Sequence, residues 1–285
     1  MLSVRPDRPI DRLTVVVMRE VSLVLGDLGL SHFLCGAMAR DVLLTHVYGI
    51  ETGIATLDVD FGVAVESWEQ FENIKNRLIA TGKFESAQKM AHRLSYKYKE
   101  GSGGYPLDII PFGGVEKPPN SVAWPPDMDE VLNVIAYKEA LANSIEIQID
   151  NDLVVPVISL PGLTLLKLFA WVDRGAGNPK DARDLGLMMR TYHEAGNQDR
   201  LYGEEIKLLE EVEFDVNAAS PHLLGKDVRS IVATETLEQA LAVLNNPQLF
   251  DRLTAHMAPG FRAADDPIEA AIVLLGRFKA GLTED

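Results

Sequence analysis

The run from Ala55 to Val65, Ala-Thr-Leu-Asp-Val-Asp-Phe-Gly-Val-Ala-Val, sets two aspartates inside what otherwise reads as a buried strand. Strand side chains alternate between faces, so Asp58 and Asp60 share one face while Leu57, Val59 and Phe61 share the other. One face is thereby core and the other polar, which demands a sheet around this strand. Two carboxylates about 6–7 Å apart on one face repel, so one keeps its proton unless a cation sits between them. A hard divalent ion such as Mg2+ is the simplest remedy, since it takes oxygen ligands and needs only one or two protein carboxylates. The plainer alternative is an aspartate-rich strand end that meets water.

The flanking segments supply the rest of such a sheet. Residues 10–29 carry apolar positions at helical spacing (Leu13, Val16, Val17, Val21, Val24, Leu25) and end in Gly26 and Gly29. Ser31 to Cys35 is a short apolar strand that stops at Gly36, and a helical pattern starts at Ala37. A strand–Gly–helix turn is either plain architecture or a set of backbone N–H groups aimed at a phosphate. Trp68 to Ala80 reads as a helix that covers the sheet with Trp68, Phe71, Ile74 and Leu78. His92 to Lys99 alternates, with Leu94, Tyr96 and Tyr98 on one face and Arg93, Ser95, Lys97 and Lys99 on the other. Through the turn Glu100 to Gly104 it forms a hairpin with Tyr105 to Phe112. Asp108 lies in that second strand, where it is paired, metal-bound or at a wet strand end beside Pro111. Residues 113–130, rich in Pro and Gly, read as an extended surface loop, and Ser144–Ile149 with Leu153–Ile158 as a further hairpin.

With 285 residues the chain is long enough for two domains, read here as 1–158 and an all-helical 159–285. Asn178-Pro179 and Ser220-Pro221 signpost helix starts. Between Pro161 and Val172 the only charged residue is Lys167, whose ammonium either reaches water or meets an anion. Lys180, Asp181 and Asp184 open the next helix, where the acids favour the helix dipole and Lys180 with Asp184 makes an i,i+4 pair. A formal net charge of -15 repels polyanions, so non-specific nucleic-acid coating is excluded and any such contact needs a local basic patch or metal ions. No apolar run is long enough for a membrane span, no signal-peptide pattern opens the chain, and the single cysteine, Cys35, cannot form an internal disulfide. A cytoplasmic protein without membrane partners is expected.

Five motifs occur in order: Cys35-Gly-Ala-Met-Ala-Arg-Asp41, Thr56-Leu-Asp-Val-Asp-Phe61, Leu107-Asp-Ile-Ile-Pro-Phe-Gly113, Leu166-Lys-Leu-Phe-Ala-Trp171 and Lys180-Asp-Ala-Arg-Asp-Leu185. Together they resemble the AbiEii/AbiGii-type toxins of the nucleotidyltransferase superfamily, over about Ser31 to Tyr192. The resemblance implies an α+β fold, with a mixed sheet flanked by helices and a helical C-terminal domain that completes the nucleotide and acceptor cleft. It makes Asp58, Asp60 and Asp108 metal-binding carboxylates for Mg2+, with Mn2+ as an alternative, and the backbone at Gly36 and Ala37 a triphosphate grip. Ala37 departs from the Gly or Ser of many members, which removes a hydroxyl but keeps the N–H. Arg40 and Lys180 fall in the nucleotide-binding motifs, Lys167 would hold phosphate, and Asp181 or Asp184 matches the last acidic position. The implied reaction moves an NMP from an NTP to an acceptor hydroxyl, using two ions about 4 Å apart and Asp108 as ligand or general base. The opening motif is also similar to that of bacterial poly(A) and CCA-adding polymerases, so the expected acceptor is a tRNA or other RNA end lying along Arg93, Lys97 and Lys99. A cognate antitoxin is the implied protein partner. The alternatives are transfer to a small molecule or protein side chain, or an inactive binding module, against which three intact carboxylates argue.

Overall fold

The computed structural model describes residues 1–53, 56–87, 90–98 and 104–284, so Ala55, Lys99 and the turn residues 100–103 lie outside the described residues. The chain divides into two compact units, Met1–Ser159 and Leu160–Asp285.

In the first unit the order is β1 (Leu2–Ser3), α1 (Arg12–Asp27), β2 (His32–Cys35), α2 (Gly36–Asp41), β3 (Val59–Val65), α3 (Trp68–Ala80), β4 (Phe84–Ser86), β5 (Arg93–Tyr96), β6 (Tyr105–Gly113), β7 (Ser121–Ala123), β8 (Val131–Asn133), α4 (Tyr137–Ala142), β9 (Ile145–Asp150) and β10 (Leu153–Val157). A π-helical stretch, Val42–Val47, continues α2. Eight strands form one mixed sheet in the order β1-β9-β10-β2-β3-β6-β5-β4. β3 sits inside it, antiparallel to β2 and parallel to β6. Val59, Phe61 and Val63 of β3 and Leu107 and Ile109 of β6 are fully buried, and the ladder pairs Val59 with Leu107 and Phe61 with Ile109, so they form one apolar face. α1 and α3 pack on β3 and on each other. Both helices start where a side chain satisfies an otherwise orphaned N–H: Asp11 accepts from Thr14 N at 2.9 Å, and Ser67 from Gln70 N at 3.3 Å.

Two expectations for this unit are corrected. Leu57 belongs to no core face, being 73% exposed, because β3 begins only at Val59. Residues 113–130 are more than a surface loop: Ser121–Ala123 pairs with Val131–Asn133, and Trp124 is buried against Trp68 and Phe71, with ring centroids 5.3 and 5.5 Å away. The prolines punctuate this segment, but its Val122 and Trp124 carry enough apolar area to dock it on α3.

The second unit contains α5 (Leu160–Arg174), α6 (Lys180–Thr191), α7 (Gln198–Tyr202), α8 (Ile206–Glu210), α9 (Val216–Ile231), α10 (Thr234–Asn245), α11 (Pro247–Met257) and α12 (Pro267–Thr283). Asn178 Oδ1 accepts from Lys180 N at 3.0 Å at the start of α6. Ser220-Pro221, by contrast, does not start a helix. α9 begins five residues earlier on a cap from Asp215 to Asn217 N, and Pro221 lies inside it. The Ser220 hydroxyl instead donates to Met189 O and accepts from His193 N, a buried link to the end of α6. α9 and α12 approach backbone to backbone: a Cβ on Gly225 would lie 2.2 Å from Phe278 O, and one on Gly281 2.1 Å from His222 O. Only glycine fits at either position. Among the described residues no helix is long and apolar enough to cross a membrane.

Candidate active site

Strand register assembles the polar face. Asp60 stands opposite Asp108 on the β3–β6 ladder, and Asp108 stands opposite Arg93 on the β6–β5 ladder, giving a row Asp60–Asp108–Arg93 across three strands. Asp58 precedes β3 and accepts a 2.5 Å hydrogen bond from the Thr56 hydroxyl. Carboxylate oxygens of Asp58, Asp60 and Asp108 lie within 4.8 Å of one another; Asp108 is buried and the other two are half-buried.

Arg93 forks onto Asp108, with Nε to Oδ1 and Nη2 to Oδ2 both at 2.6 Å. Its hydrogen bonds to Asp108 hold its pKa above the ordinary value against desolvation, and the charges of Asp108, Asp58 and Asp60 add to this. Three carboxylates converge in this row, and every atom they offer a metal is a hard oxygen. The residues therefore fit a hard divalent cation. Of the residues expected along an acceptor face, Arg93 forks onto Asp108 and Lys97 is exposed, while Lys99 lies outside the described residues. Arg93 also lines an open pocket of about 390 Å³ with Lys75, Met90, Trp124, Asp129 and Glu130. Against Trp124 stands the ring of His92, whose pKa is lowered by burial.

The β2–α2 turn touches the same carboxylates. Gly36 has φ +68°, and a Cβ there would lie 1.9 Å from Asp60 Oδ2 and 2.7 Å from its Cγ. Asp60 thus rests on the bare α-carbon of Gly36. Ala37 is buried, and no side chain caps the start of α2. Arg40, grouped with the nucleotide contacts by the resemblance, is buried with Asp41, its Nε and Nη2 at 2.9 and 2.7 Å from Asp41 Oδ1.

In the second unit, Lys167 Nζ lies 2.9 Å from Asp181 Oδ1 and 2.6 Å from Asp184 Oδ2. Burial works against the charge on Lys167, but Asp184 and then Asp181 raise its pKa above the ordinary value. Burial likewise opposes ionised Asp181, yet hydrogen bonding from Arg174 and the charge of Lys167 bring its pKa below the usual carboxylate value. In this structure the anions that Lys167 meets are Asp181 and Asp184 of α6, where the sequence reading expected a nucleotide phosphate. Asp184 meets Lys167, so the expected Lys180–Asp184 pair gives way, and Lys180 is exposed. Sequence reasoning missed Arg174, which holds Asp181 through Nε at 2.7 Å and Nη2 at 3.1 Å. The signal was present: Lys167 and Arg174 stand seven residues apart, two turns along one face of α5.

A family model described as "Nucleotidyl transferase AbiEii toxin, Type IV TA system" matches residues 55–272. Among solved structures, an antigenic nucleotidyltransferase-like protein from Paracoccidioides brasiliensis is similar at 17% identity, covering 73% of this chain and 93% of that one, with a TM-score of 0.42. The antibiotic-resistance factor ANT(2'')-Ia is similar at 10% identity over 72% of this chain and 98% of that one, with a TM-score of 0.41. The Thermotoga maritima CCA-adding enzyme complexed with tRNA is similar at 15% identity over 97% and 82%, with a TM-score of 0.26. No curated protein sequence matches the chain.

Proposed function

The chain belongs to the AbiEii nucleotidyltransferase toxin family, and from that premise we propose that it transfers an NMP from an NTP to the 3' hydroxyl of an RNA, tRNA foremost, using Mg2+. The observation that carries the reading is the clustering of Asp58, Asp60 and Asp108 against the Gly36 turn. In the transfer, the acceptor hydroxyl gives its proton to water, its oxygen bonds to the α-phosphorus, the bond from that phosphorus to the bridging oxygen breaks, and pyrophosphate leaves. Asp58, Asp60 and Asp108 would hold the ion, which would supply Lewis-acid polarisation of the phosphate and a lowered pKa for the acceptor hydroxyl. The backbone following Gly36 grips the triphosphate. Both oxygens of Asp108 accept from Arg93, which supports its ligand role over proton abstraction. Lys167 belongs in this reading to the fold of the helical unit. The family's description as a toxin supports action in the cytoplasm under control of a cognate antitoxin.

The test is incubation with each α-labelled NTP, Mg2+ and total RNA, total protein or a small-molecule extract. Label retained in RNA and lost in Asp60→Asn is expected; label only in protein or small molecules would refute the RNA acceptor while preserving NMP transfer. Millimolar Mg2+ with NTP should also raise the melting temperature of the wild type and leave that of Asp58→Asn unchanged.

A further inference from the structure

Asp108 carries a guanidinium of the fold on both of its oxygens. The ladder sets Asp60 on one side of Asp108 and Arg93 on the other, so the Asp108 carboxylate is flanked by an anion and a guanidinium in a single row. Both of its oxygens accept from the fork at 2.6 Å, a planar geometry that a guanidinium makes and an ammonium does not. Each carboxylate oxygen has lone pairs beyond those the fork takes, so Asp108 still has electrons to offer an ion. That ion, however, would sit close to a fixed positive charge. Fixing the carboxylate favours metal binding, whereas like-charge repulsion opposes it. Between a dication and a guanidinium joined through one carboxylate in a half-buried site, the repulsion is the larger effect.

We propose that Arg93 is a positioning residue that acts as the internal counter-ion of the Asp58/Asp60/Asp108 triad: it keeps the site folded without metal, aims the Asp108 carboxylate, and holds metal affinity down. The inference rests on the reading of the triad as a metal site. It gives Arg93 a signature of opposite sign to that of an ordinary supporting residue, because its removal tightens metal binding while it slows turnover. Weak resident affinity also suits an enzyme whose ion arrives with the nucleotide, since triphosphate oxygens then complete the ligand set.

The experiment measures Mn2+ binding by electron paramagnetic resonance on the full chain, without nucleotide, for wild type, Arg93→Gln and Arg93→Lys. Arg93→Gln removes the charge and should bind Mn2+ about tenfold more tightly, equivalent to about 1.4 kcal/mol. Arg93→Lys keeps a charge without the fork and should stay near wild-type affinity. Both variants should lose kcat, because Asp108 is no longer aimed. If Arg93→Gln is unfolded without metal, refolding by millimolar Mn2+, followed by circular dichroism, supports the proposal, and failure to refold overturns it. Equal or weaker Mn2+ binding by a folded Arg93→Gln also overturns it, while wild-type binding preserves the metal site. If neither wild type nor Arg93→Gln binds Mn2+, the metal reading falls together with this one.

Discussion

Lys167→Met isolates one buried charge. The Lys167, Asp181 and Asp184 side chains are 6%, 2% and 6% exposed, and with Arg174 they balance two cations against two anions. Methionine follows the path of the lysine stem, so little cavity opens and the loss is chiefly electrostatic. Asp181 keeps the fork of Arg174, while Asp184 loses a 2.6 Å ion pair. Removing one member of a buried pair costs about 3–5 kcal/mol, and the retained Arg174 contact argues for about 3. With a urea slope of about 2 kcal/mol/M, the midpoint should fall by about 1.5 M. Trp171 lies on the same helix as Lys167 and reports the unfolding of this unit by fluorescence. Lys167→Met combined with Asp184→Asn should regain at least half of the loss, because the charge balance returns. A single variant as stable as wild type, with NTP affinity reduced about tenfold or more, would refute the argument and return Lys167 to the nucleotide.

Gly36→Ala should cost about 1–2 kcal/mol from its left-handed backbone alone. Because its Cβ would overlap Asp60 Oδ2, Mn2+ affinity should fall about tenfold as well; intact Mn2+ binding in a folded variant would show that the turn does not support the carboxylate. His32 donates from Nδ1 to Leu30 O at 2.9 Å, and among the described residues its buried Nε2 has no partner. Burial lowers its pKa below 6.5. The neutral ring is the one the fold favours, so its contribution to stability is present above that pH and is lost as pH falls through the lowered folded value. Urea midpoints should drop between pH 7.5 and pH 5, and less steeply in His32→Leu; His92 and His256, also lowered, retain the rest of the slope. Identical slopes in the two proteins would refute the assignment to His32.

Alternation and turn chemistry are local, and what depends on them was legible in the sequence. The period-2 pattern brought Asp58 and Asp60 to one face, the apolar run around Asp108 identified its strand, and helical spacing found α1 and α3. What depends on register was not legible. Nothing in His92–Lys99 taken alone says that Arg93 stands across from Asp108, because that opposition is fixed by how the two strands meet. Lys167 announced its need for an anion, but which carboxylate answers depends on how α6 packs on α5. Ser220-Pro221 misled because a capping residue and a proline also suit a helix interior when the hydroxyl has tertiary partners, here Met189 and His193.

The glycine contact between α9 and α12 bears on where a shortened version of this protein can be cut. The family match stops at residue 272, inside α12, before Phe278, Gly281 and Leu282, all of which are buried. A cut at that point would remove the strand of backbone that lies against Gly225 and uncover the peptide groups of α9 around His222, with no side chain on that glycine to shield them. The family match therefore ends part-way along a packed helix, and relatives aligned only that far would lack most of the segment that lies against Gly225.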